Sequence, residues 1–366
     1  MRGPSQIELE PQYNTSAFSS GSFLFEGIAR RDPGIAELEE TAVRLQGPKT
    51  IITADCSNPH EIDDGILVQP LPSAREAYKV DVCIADVSSL YRNTDVLQGA
   101  LSQTRSEYFT LGGSEQGYEP MIDRQYVLQK ELSKAALKNA VIMSFIVGDG
   151  IAPQDFSVDF DQVRVLANYN YRQFSELSSR GLKLEQYAQA ARFIREGIRY
   201  NPGGDSTTMT NDISNRALER KYGSWKHGAR LNEAFMVASN HLLGKMMQDE
   251  GRPAIYRVHG NAGDIHGEIF RPDVAWYSRQ PGFHQGLDIG PYCQGTSGLR
   301  RLPDFIMHYH LWLRDNNMTP TEYDMRIMDE AIRNLNSRAI YDTVARTRAK
   351  RPKRLVIVRN RKEAVA

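Results

Sequence analysis

Long hydrophobic runs and paired cysteines are both missing from this sequence of 366 residues. No window approaches the roughly 18 consecutive apolar residues that a membrane-spanning helix needs, so we predict no membrane span. The three cysteines, Cys56, Cys83 and Cys293, are odd in number and far apart, which excludes a disulfide framework and a C-x-x-C zinc site. The N-terminus has no apolar core behind its first arginine, so we expect no secretory signal and a cytoplasmic protein.

Common catalytic and nucleotide-binding motifs are also absent. The sequence contains no H-E-x-x-H, no Walker A motif and no G-x-G-x-x-G after a strand, and Ser297 lies in GTSG rather than in G-x-S-x-G. These absences disfavour a zinc hydrolase, a nucleotide-binding protein and a serine hydrolase. His259 and His266 flank a glycine-rich segment, and we interpret them as loop or core histidines rather than metal ligands.

Net charge of either sign is missing too, because 45 Lys and Arg balance 45 Asp and Glu. This balance argues against a generally basic protein that coats nucleic acid. The distribution is uneven, however: residues 346–362 carry nine basic residues and no acid. With these nine and Glu363 set aside, 36 basic and 44 acidic residues remain. A basic run of this kind is typical of a solvated tail or of a segment that contacts phosphates.

Strand patterns come early in the chain and helix patterns come late. Short β-branched or alternating runs predict strands at residues 50–54, 78–85, 140–147 and 157–165. Apolar residues at three- and four-residue steps predict helices at residues 182–200, 229–248, 303–313 and 320–348. This order favours an α+β fold, with a mixed β-sheet early and long helices later. We divide the chain into a flexible lead-in (residues 1–20), one domain (21–345) and a basic C-terminal tail (346–366).

Four carboxylates cluster where the first predicted strand ends. Asp55 ends that strand, and Glu61, Asp63 and Asp64 follow a segment that Pro59 marks as a turn. Taken alone, such a cluster is typical of a solvated acidic turn. Converging carboxylates raise each other's pKa values, and a divalent cation relieves the repulsion. Oxygen ligands suit Mg²⁺, with Mn²⁺ as the alternative, rather than zinc.

The acidic cluster and three later segments together resemble a known family. Asp55 is followed six residues later by the acidic Glu61 and then, after one residue, by the pair Asp63 and Asp64. The later segments are IADVS at residues 84–88 followed by R-x-x-Y at 105–108, the helix segment EAFMVASN at 233–240, and TSGLRRLPD at 296–304. In this order and spacing they resemble the catalytic (RNB) domain of the ribonuclease II/R family of 3′→5′ exoribonucleases, over residues 50–350.

The sequence departs from the family pattern at several positions. Glu61 stands where the family has Asp, Ala234 replaces a second acid, Gly298 replaces a Pro and Leu302 replaces an aromatic residue. Neither a cold-shock segment before the domain nor an S1 segment after it is recognisable. We therefore expect a short member of the family, without the oligonucleotide-binding domains that normally flank the catalytic one.

The resemblance implies a Mg²⁺-dependent enzyme that hydrolyses single-stranded RNA from the 3′ end to nucleoside 5′-monophosphates. It implies that Asp55 and Asp64 are direct metal ligands, while Glu61 and Asp63 ligate the metal or orient its water. Asp63 is expected to be the most sensitive of the four. Arg300 is expected to stabilise charge on the scissile phosphate. Without the surrounding motif, Arg300 is more typical of a surface residue at a helix start.

The predicted RNA contacts include aromatic, polar and basic side chains. Tyr108 resembles the family's aromatic residue that stacks on a base at the 3′ end, although a core aromatic is the alternative interpretation. Tyr171 resembles a second such aromatic. Glu233 and Asn240 share a helix face that we expect to line the RNA channel, or else to be solvated. The basic residues we assign to RNA are Arg301, Arg348, Arg351 and Arg354.

Two other functions are compatible with the same residues. One is an RNB-like domain with a weakened site that binds RNA or a partner without cutting it, an interpretation favoured by the departures at Glu61, Ala234 and Gly298. The other is a nuclease that trims the 3′ ends of structured RNAs such as tRNA precursors. The sequence does not separate trimming from bulk decay.

Overall fold

The computed structural model describes residues 48–56, 59–72, 76–111, 115–134, 137–179, 185–201, 226–259 and 275–350. The strands in these ranges are β1 Lys49–Asp55, β2 Asp64–Pro70, β3 Ala77–Ala85, β4 Glu107–Leu111, β5 Glu115–Glu119, β6 Leu137–Gly148, β7 Ile151–Asn170, β8 Tyr256–Val258 and β9 Trp276–Ser278. The α-helices are α1 Thr94–Gln103, α2 Arg124–Lys130, α3 Tyr171–Ser179, α4 Glu185–Ile198, α5 Lys226–Asp249, α6 Leu302–Asp315 and α7 Glu322–Lys350.

The main sheet has five strands in the order β1-β2-β3-β6-β7 and closes on itself. Neighbouring strands are antiparallel except for β1 and β7, which pair in parallel with Lys49 opposite Val163 and Asp55 opposite Asn170. β-branched residues such as Val80, Val82 and Ile84 are fully buried within it. The closed sheet brings the end of β1 and the start of β2 to one edge.

The predicted α+β class and mixed sheet are confirmed. Each of the four predicted strands lies within an observed strand, namely β1, β3, β6 or β7. Each of the four predicted helices overlaps an observed one, namely α4, α5, α6 or α7. Strand β2 and the hairpin of β4 and β5 were not predicted, because the alternation in these short segments is weak.

Helix α5 is buried on almost every side along its middle. The predicted apolar face is confirmed, since Leu231, Phe235 and Leu242 are all buried. The opposite face, which we expected to be exposed to RNA or to solvent, is buried as well: Val237 is 3% exposed and Asn240 is 1% exposed. Helices α3 and α4 and the sheet pack around α5 and cover both faces.

The ends of the predicted domain lie partly outside the described residues. Helix α7 continues to Lys350, so residues 346–350, which we assigned to the basic tail, are helical. Arg348 lies in the last turn of this helix. Arg351, Arg354 and the predicted lead-in at residues 1–20 lie outside the described ranges. None of the helices described is long and apolar enough to cross a membrane.

A buried histidine on α6 makes stability sensitive to acid. His310 is 2% exposed, and neither of its ring nitrogens has a hydrogen-bond partner among the residues that the structure describes. Burial lowers the pKa of its imidazole from 6.5 to about 4, against the opposing effect of Asp324. Because the unfolded chain takes up this proton at higher pH than the folded protein, the stability conferred by a neutral His310 is present above pH 6.5 and is lost as the pH falls towards 4.

We therefore expect the variant His310→Leu to be less sensitive to acid than the wild type. Between pH 7 and pH 5 the free energy of unfolding of the wild type should fall by about 2 kcal/mol more than that of the variant. Urea unfolding of both proteins at the two pH values measures this difference. An equal fall in the two proteins would contradict the assignment.

Candidate active site

Two carboxylates meet at the edge where β1 ends and β2 begins. Asp55 is the last residue of β1 and Asp64 is the first residue of β2. Gly65 allows the two strands to approach, because a Cβ atom at this position would lie 2.6 Å from the Ile51 Cδ1 atom and 3.1 Å from the Ile52 carbonyl oxygen. A side chain at residue 65 would therefore displace the Ile51 side chain and crowd the Ile52 carbonyl oxygen.

The Asp55 and Asp64 carboxylates differ in their hydrogen bonds. Among the described residues, the buried Asp55 Oδ2 atom has no hydrogen-bond partner, whereas the Asp64 Oδ2 atom accepts a bond of 2.9 Å from the Asn232 side-chain amide on α5. The charge of Arg300 lowers the pKa of both groups, but burial outweighs it. Burial, together with the charge of Asp64, raises the pKa of Asp55 well above its ordinary value. Burial also raises the pKa of Asp64, to about 6. Two buried carboxyl groups so close to each other favour a cationic ligand.

Asp63 points to a different partner, the guanidinium of Arg300. Its Oδ2 atom accepts a bond of 2.8 Å from Arg300 Nε, and its Oδ1 atom accepts a bond of 2.9 Å from the Leu299 backbone amide. The Arg300 Nη2 atom donates to Ser297 Oγ at 2.9 Å. Burial raises the pKa of Asp63, and the charge of Arg300 opposes this rise. Asp63 is 2% exposed while the Arg300 side chain is 40% exposed, so a buried carboxylate orients a cation that reaches the surface.

Glu61 points away from the other carboxylates and into a group of hydroxyls. Ser106 Oγ donates to its Oε1 atom at 2.7 Å, and the Tyr108 hydroxyl donates to its Oε2 atom at 2.6 Å. The Tyr118 hydroxyl also donates to Oε1. The extra methylene of Glu, compared with the Asp of the family pattern, lets the carboxylate reach these donors. Glu61 is therefore already satisfied by protein groups.

The structure does not bring all four predicted carboxylates to one point. Within the described ranges, no three His, Cys, Asp or Glu side chains form a group that could hold a metal ion. The reason is that Glu61 bonds to hydroxyls and Asp63 bonds to Arg300. Asp55 and Asp64 remain, and the buried Oδ2 atom of Asp55 has no hydrogen-bond partner in the part of the chain that the structure describes. A hard divalent cation fits this pair, because Mg²⁺ is commonly bound by one or two carboxylates together with waters and substrate phosphates.

Aromatic residues lie beside the acidic edge. Tyr108 on β4 is 52% exposed, which excludes the alternative that it is a core aromatic. Tyr171, the first residue of α3, is half-buried. Burial raises the pKa of the Tyr171 hydroxyl, and the charges of Asp55 and Asp64 raise it further. Both predicted aromatics therefore lie close to the predicted acidic residues.

The structure corrects our expectation for Asn240, which is inside the fold and not on a channel surface. Its Nδ2 atom donates to the Tyr292 hydroxyl at 3.1 Å and to Thr296 Oγ1 at 3.2 Å. Its Oδ1 atom accepts a bond of 2.8 Å from the Gly295 backbone amide. Asn240 thus fixes the loop that precedes α6, the same loop that carries Arg300. Its role in the structure is to position that loop.

Arg301 also makes structural hydrogen bonds, and its assignment to RNA stays a prediction. Its Nη2 atom donates to Asp304 Oδ1 at 2.8 Å and to Thr296 Oγ1 at 3.3 Å. Asp304 is fully buried and also accepts a bond of 2.9 Å from the Ser297 backbone amide. The Arg301 guanidinium is therefore occupied by the same loop, whereas the adjacent Arg300 side chain points to the acidic edge.

Sequence reasoning missed several residues of the site. Asn232 immediately precedes Glu233, and a polar residue between Leu231 and Ala234 on a buried face was the available signal. Glu233 itself is half-buried, with its charge near the Tyr200 hydroxyl, whose pKa is raised by burial and then by this charge. The prediction that Glu233 contacts ribose stays a prediction. Ser106 lies within the R-x-x-Y segment, but Tyr118 becomes a neighbour only through the unpredicted hairpin of β4 and β5.

Comparison with known proteins relates the chain to solved structures at low sequence identity. No protein-family model matches the sequence, and no curated protein matches it. The active-site mutant D477N of the Dss1 exoribonuclease from Candida glabrata is similar, with a TM-score of 0.64 and 17% identity over 85% of this chain and 47% of that chain. RNase R of Mycoplasma genitalium in complex with ribose-methylated single-stranded RNA has a TM-score of 0.63 and 15% identity over 86% of this chain and 60% of that chain.

A third similar structure is yeast Ssd1, described as a pseudonuclease. It has a TM-score of 0.57 and 14% identity over 81% of this chain and 44% of that chain. The chain thus spans about half the length of the structures that it matches. Dss1, RNase R and Ssd1 are all RNB-domain proteins. At such low identity the likeness concerns the fold alone: the chain has an RNB-like fold.

Proposed function

We propose that this protein is a divalent-metal-dependent 3′→5′ exoribonuclease that hydrolyses single-stranded RNA to nucleoside 5′-monophosphates. The pair Asp55 and Asp64 supports this proposal most strongly, because the buried Asp55 Oδ2 atom has no donor among the described residues and both carboxyl groups have raised pKa values. A group of this kind is costly to bury and is typical of a functional site. The RNB-like fold, which Dss1 and RNase R also have, supports the choice of RNA as substrate.

Asp55 and Asp64 are the residues that would hold a divalent cation. Mg²⁺ or Mn²⁺ bound there would supply an activated water and would neutralise charge on the scissile phosphate. Asn232 orients the Asp64 carboxylate through its bond of 2.9 Å, leaving the second carboxylate oxygen for the cation. The Tyr171 hydroxyl on α3 lies near the pair, since burial and then the charges of Asp55 and Asp64 raise its pKa.

Arg300 is the protein cation that would contact the scissile phosphate. Its Nε atom is bonded to Asp63 and one Nη2 hydrogen to Ser297, so the direction of the planar guanidinium is fixed. The other N–H groups of a guanidinium held in this way can bond to non-bridging phosphate oxygens. Because Asp63 is held by the Leu299 amide, the pair needs little rearrangement when charge develops on the phosphate.

Tyr108 would stack on an unpaired base at the 3′ end of the RNA. Half of its surface is exposed, while its hydroxyl is bonded to Glu61. Stacking of a base on an aromatic ring contributes about 1–3 kcal/mol and does not depend on base identity. This contact supports a substrate with an unpaired 3′ end and little sequence preference.

Hydrolysis of a 5′-labelled single-stranded oligoribonucleotide tests the proposal. We expect Mg²⁺ or Mn²⁺ to support a stepwise loss of the full-length RNA to a short 5′ product with release of nucleoside 5′-monophosphates, and we expect EDTA to prevent it. An oligodeoxyribonucleotide of the same sequence serves as the substrate control. Retention of the full-length RNA with both metals would exclude the proposed activity.

A binding module that does not cut RNA is the second candidate. One observation favours it: the carboxylate of Glu61 bonds to three hydroxyls and is not available to a metal. The likeness to Ssd1, a pseudonuclease, agrees with this alternative. In the same assay, retained full-length RNA together with a mobility shift on a native gel would identify the binding module.

A further inference from the structure

Three rings form an aromatic cluster on one side of the acidic edge. Tyr108 on β4 lies opposite Tyr118 on β5, with ring centroids 5.4 Å apart and an interplanar angle of 41°. His60 stacks on Tyr118 with centroids 4.2 Å apart and an interplanar angle of 5°. The stacked pair supports one side of Tyr108, and Tyr108 remains 52% exposed. This cluster is a surface on which one more planar ring can stack.

The hydroxyl groups of the cluster converge on Glu61. Tyr108, Tyr118 and Ser106 all donate to its carboxylate, and Glu61 is only 5% exposed. The Ser106 Oγ atom accepts a bond of 3.0 Å from the Met121 backbone amide, so its own proton is available to Glu61. A carboxylate has enough lone pairs to accept all three bonds, whereas an amide can accept at only one of its two end atoms.

We propose that Glu61 is a positioning residue that fixes the Tyr108 ring for stacking on the 3′-terminal base, and that it is not a metal ligand. This inference rests on the proposed function, because it assigns the terminal nucleotide of an RNA as the ligand of the Tyr108 face. An exposed tyrosine side chain rotates about two bonds, and holding it in one orientation before binding removes an entropic cost of association. Glu61 holds Tyr108 through a hydrogen bond of 2.6 Å.

The length of Glu61 explains why a glutamate is needed for this role. An aspartate at residue 61 would withdraw the carboxylate by about 1.5 Å, the length of one carbon–carbon bond. Its oxygens would then lie beyond hydrogen-bond distance of the Tyr108 hydroxyl, since bonds to an ionised acceptor are strong only at about 2.5–2.7 Å for O–H donors. A metal ligand and a positioning residue therefore respond differently to the change from Glu to Asp.

Binding of a 3′-terminal 2-aminopurine oligoribonucleotide, with EDTA present, tests the positioning role without any hydrolysis. Fluorescence of 2-aminopurine is quenched when the base stacks. We expect Glu61→Gln to weaken binding about tenfold and to reduce the quenching at saturation, because one stacked base loses its fixed partner. Tyr108→Phe should produce the same loss, and the double variant should lose no more than either single variant. The control Glu119→Gln changes an exposed carboxylate on β5 and should bind like the wild type.

The variant Glu61→Asp separates the two roles of this residue. If Glu61 positions Tyr108, the Asp variant should bind the labelled RNA as weakly as the Gln variant, with an unchanged Mg²⁺ requirement for hydrolysis. Wild-type binding and quenching by Glu61→Gln, or additive losses in the double variant, would overturn the inference. Melting temperatures show which variants are folded, and Tyr108→Phe, which removes only the hydroxyl that donates to Glu61, keeps the test valid if residue 61 cannot be changed.

The outcomes of these experiments distinguish failure of the Glu61 role from failure of the proposed nuclease activity. If the Glu61 variants lose the binding and quenching that the wild type shows, while the wild type does not hydrolyse RNA, the role of Glu61 is retained and the nuclease is refuted. A wild type that hydrolyses RNA, with a Glu61→Asp variant that binds and quenches normally, would retain the nuclease and refute the role of Glu61.

Discussion

Replacement of Asp64 by Asn is expected to abolish RNA hydrolysis and, at the same time, to stabilise the metal-free protein. Hydrolysis should fall by more than about 100-fold, which is the loss typical of residues that merely support a metal ligand. With EDTA present at pH 8, the melting temperature of the variant should exceed that of the wild type by about 5 °C. A substitution that lowers activity but raises stability identifies a carboxylate that is retained for function.

The physical reason is the burial of Asp55 and Asp64 next to each other. Burial raises the pKa of Asp64 to about 6, so keeping it ionised at pH 8 costs about 3 kcal/mol relative to the unfolded chain. An Asn at this position carries no charge, and its Oδ1 atom can still accept the bond from Asn232. The raised pKa of Asp55 also returns towards its usual range, because the charge of Asp64 contributes to the rise.

Asp81→Asn is the matched control for this prediction. Asp81 is also a buried carboxylate, but Lys49 lies 3.0 Å from it and Ser144 donates to it at 2.5 Å. Loss of its charge should lower the melting temperature and leave RNA hydrolysis unchanged. Differential scanning calorimetry with EDTA measures the melting temperatures, and the 5′-labelled RNA assay with Mg²⁺ measures hydrolysis. If Asp64→Asn has a lower melting temperature than the wild type in EDTA, the Asp64 charge does not destabilise the metal-free protein and the prediction is wrong.

Contacts between residues that are close in the sequence could be predicted, whereas contacts between residues far apart in the sequence could not. Asp55 and Asp64 flank one connection between neighbouring strands, so their proximity follows from a spacing that is visible in the sequence. Strands β1, β3, β6 and β7 of the closed sheet likewise follow from short β-branched or alternating runs, whereas β2 does not. Asp63 was predicted as part of the same cluster, but its partner Arg300 lies 237 residues away along the chain.

Asn240 and Arg301 show how polar residues acquire structural partners that the sequence does not reveal. Both occur in segments that resemble functional motifs of the family, so the resemblance implies an RNA contact for each. In the structure Asn240 bonds to the loop before α6, and Arg301 bonds to Asp304 in the first turn of α6. A polar residue on a helix face does not reveal whether its partner is solvent, ligand or a buried backbone group, because that depends on what packs against the face.

For Glu61, too, the sequence does not reveal which groups the side chain contacts. Its spacing from Asp55 matches that of a metal ligand, and its carboxylate has the right chemistry. The extra methylene and the unpredicted hairpin of β4 and β5 give it other partners, Tyr108 and Tyr118. Motif spacing fixes where the backbone is placed, whereas the side-chain length and the neighbouring strands decide what the carboxylate contacts.

Replacement of Arg300 by Gln is expected to lower hydrolysis by about 100- to 1,000-fold, the loss that follows removal of one group stabilising charge in a transition state. It should also destabilise the fold by about 2 kcal/mol, because Asp63 is 2% exposed and loses its charged partner. This loss is smaller than for a fully buried ion pair, since the Arg300 side chain is 40% exposed and partly solvated.

The double variant Asp63→Asn with Arg300→Gln separates the two effects. An Asn at residue 63 carries no charge and can still accept the Leu299 amide bond, so the double variant should recover most of the stability lost in Arg300→Gln. It should recover none of the activity, because the cation that would contact the phosphate is still missing. Urea unfolding and single-turnover hydrolysis measure the two quantities on the same four proteins. Recovery of hydrolysis in the double variant would mean that Arg300 serves only to neutralise Asp63, and the role of a phosphate ligand would pass to another residue.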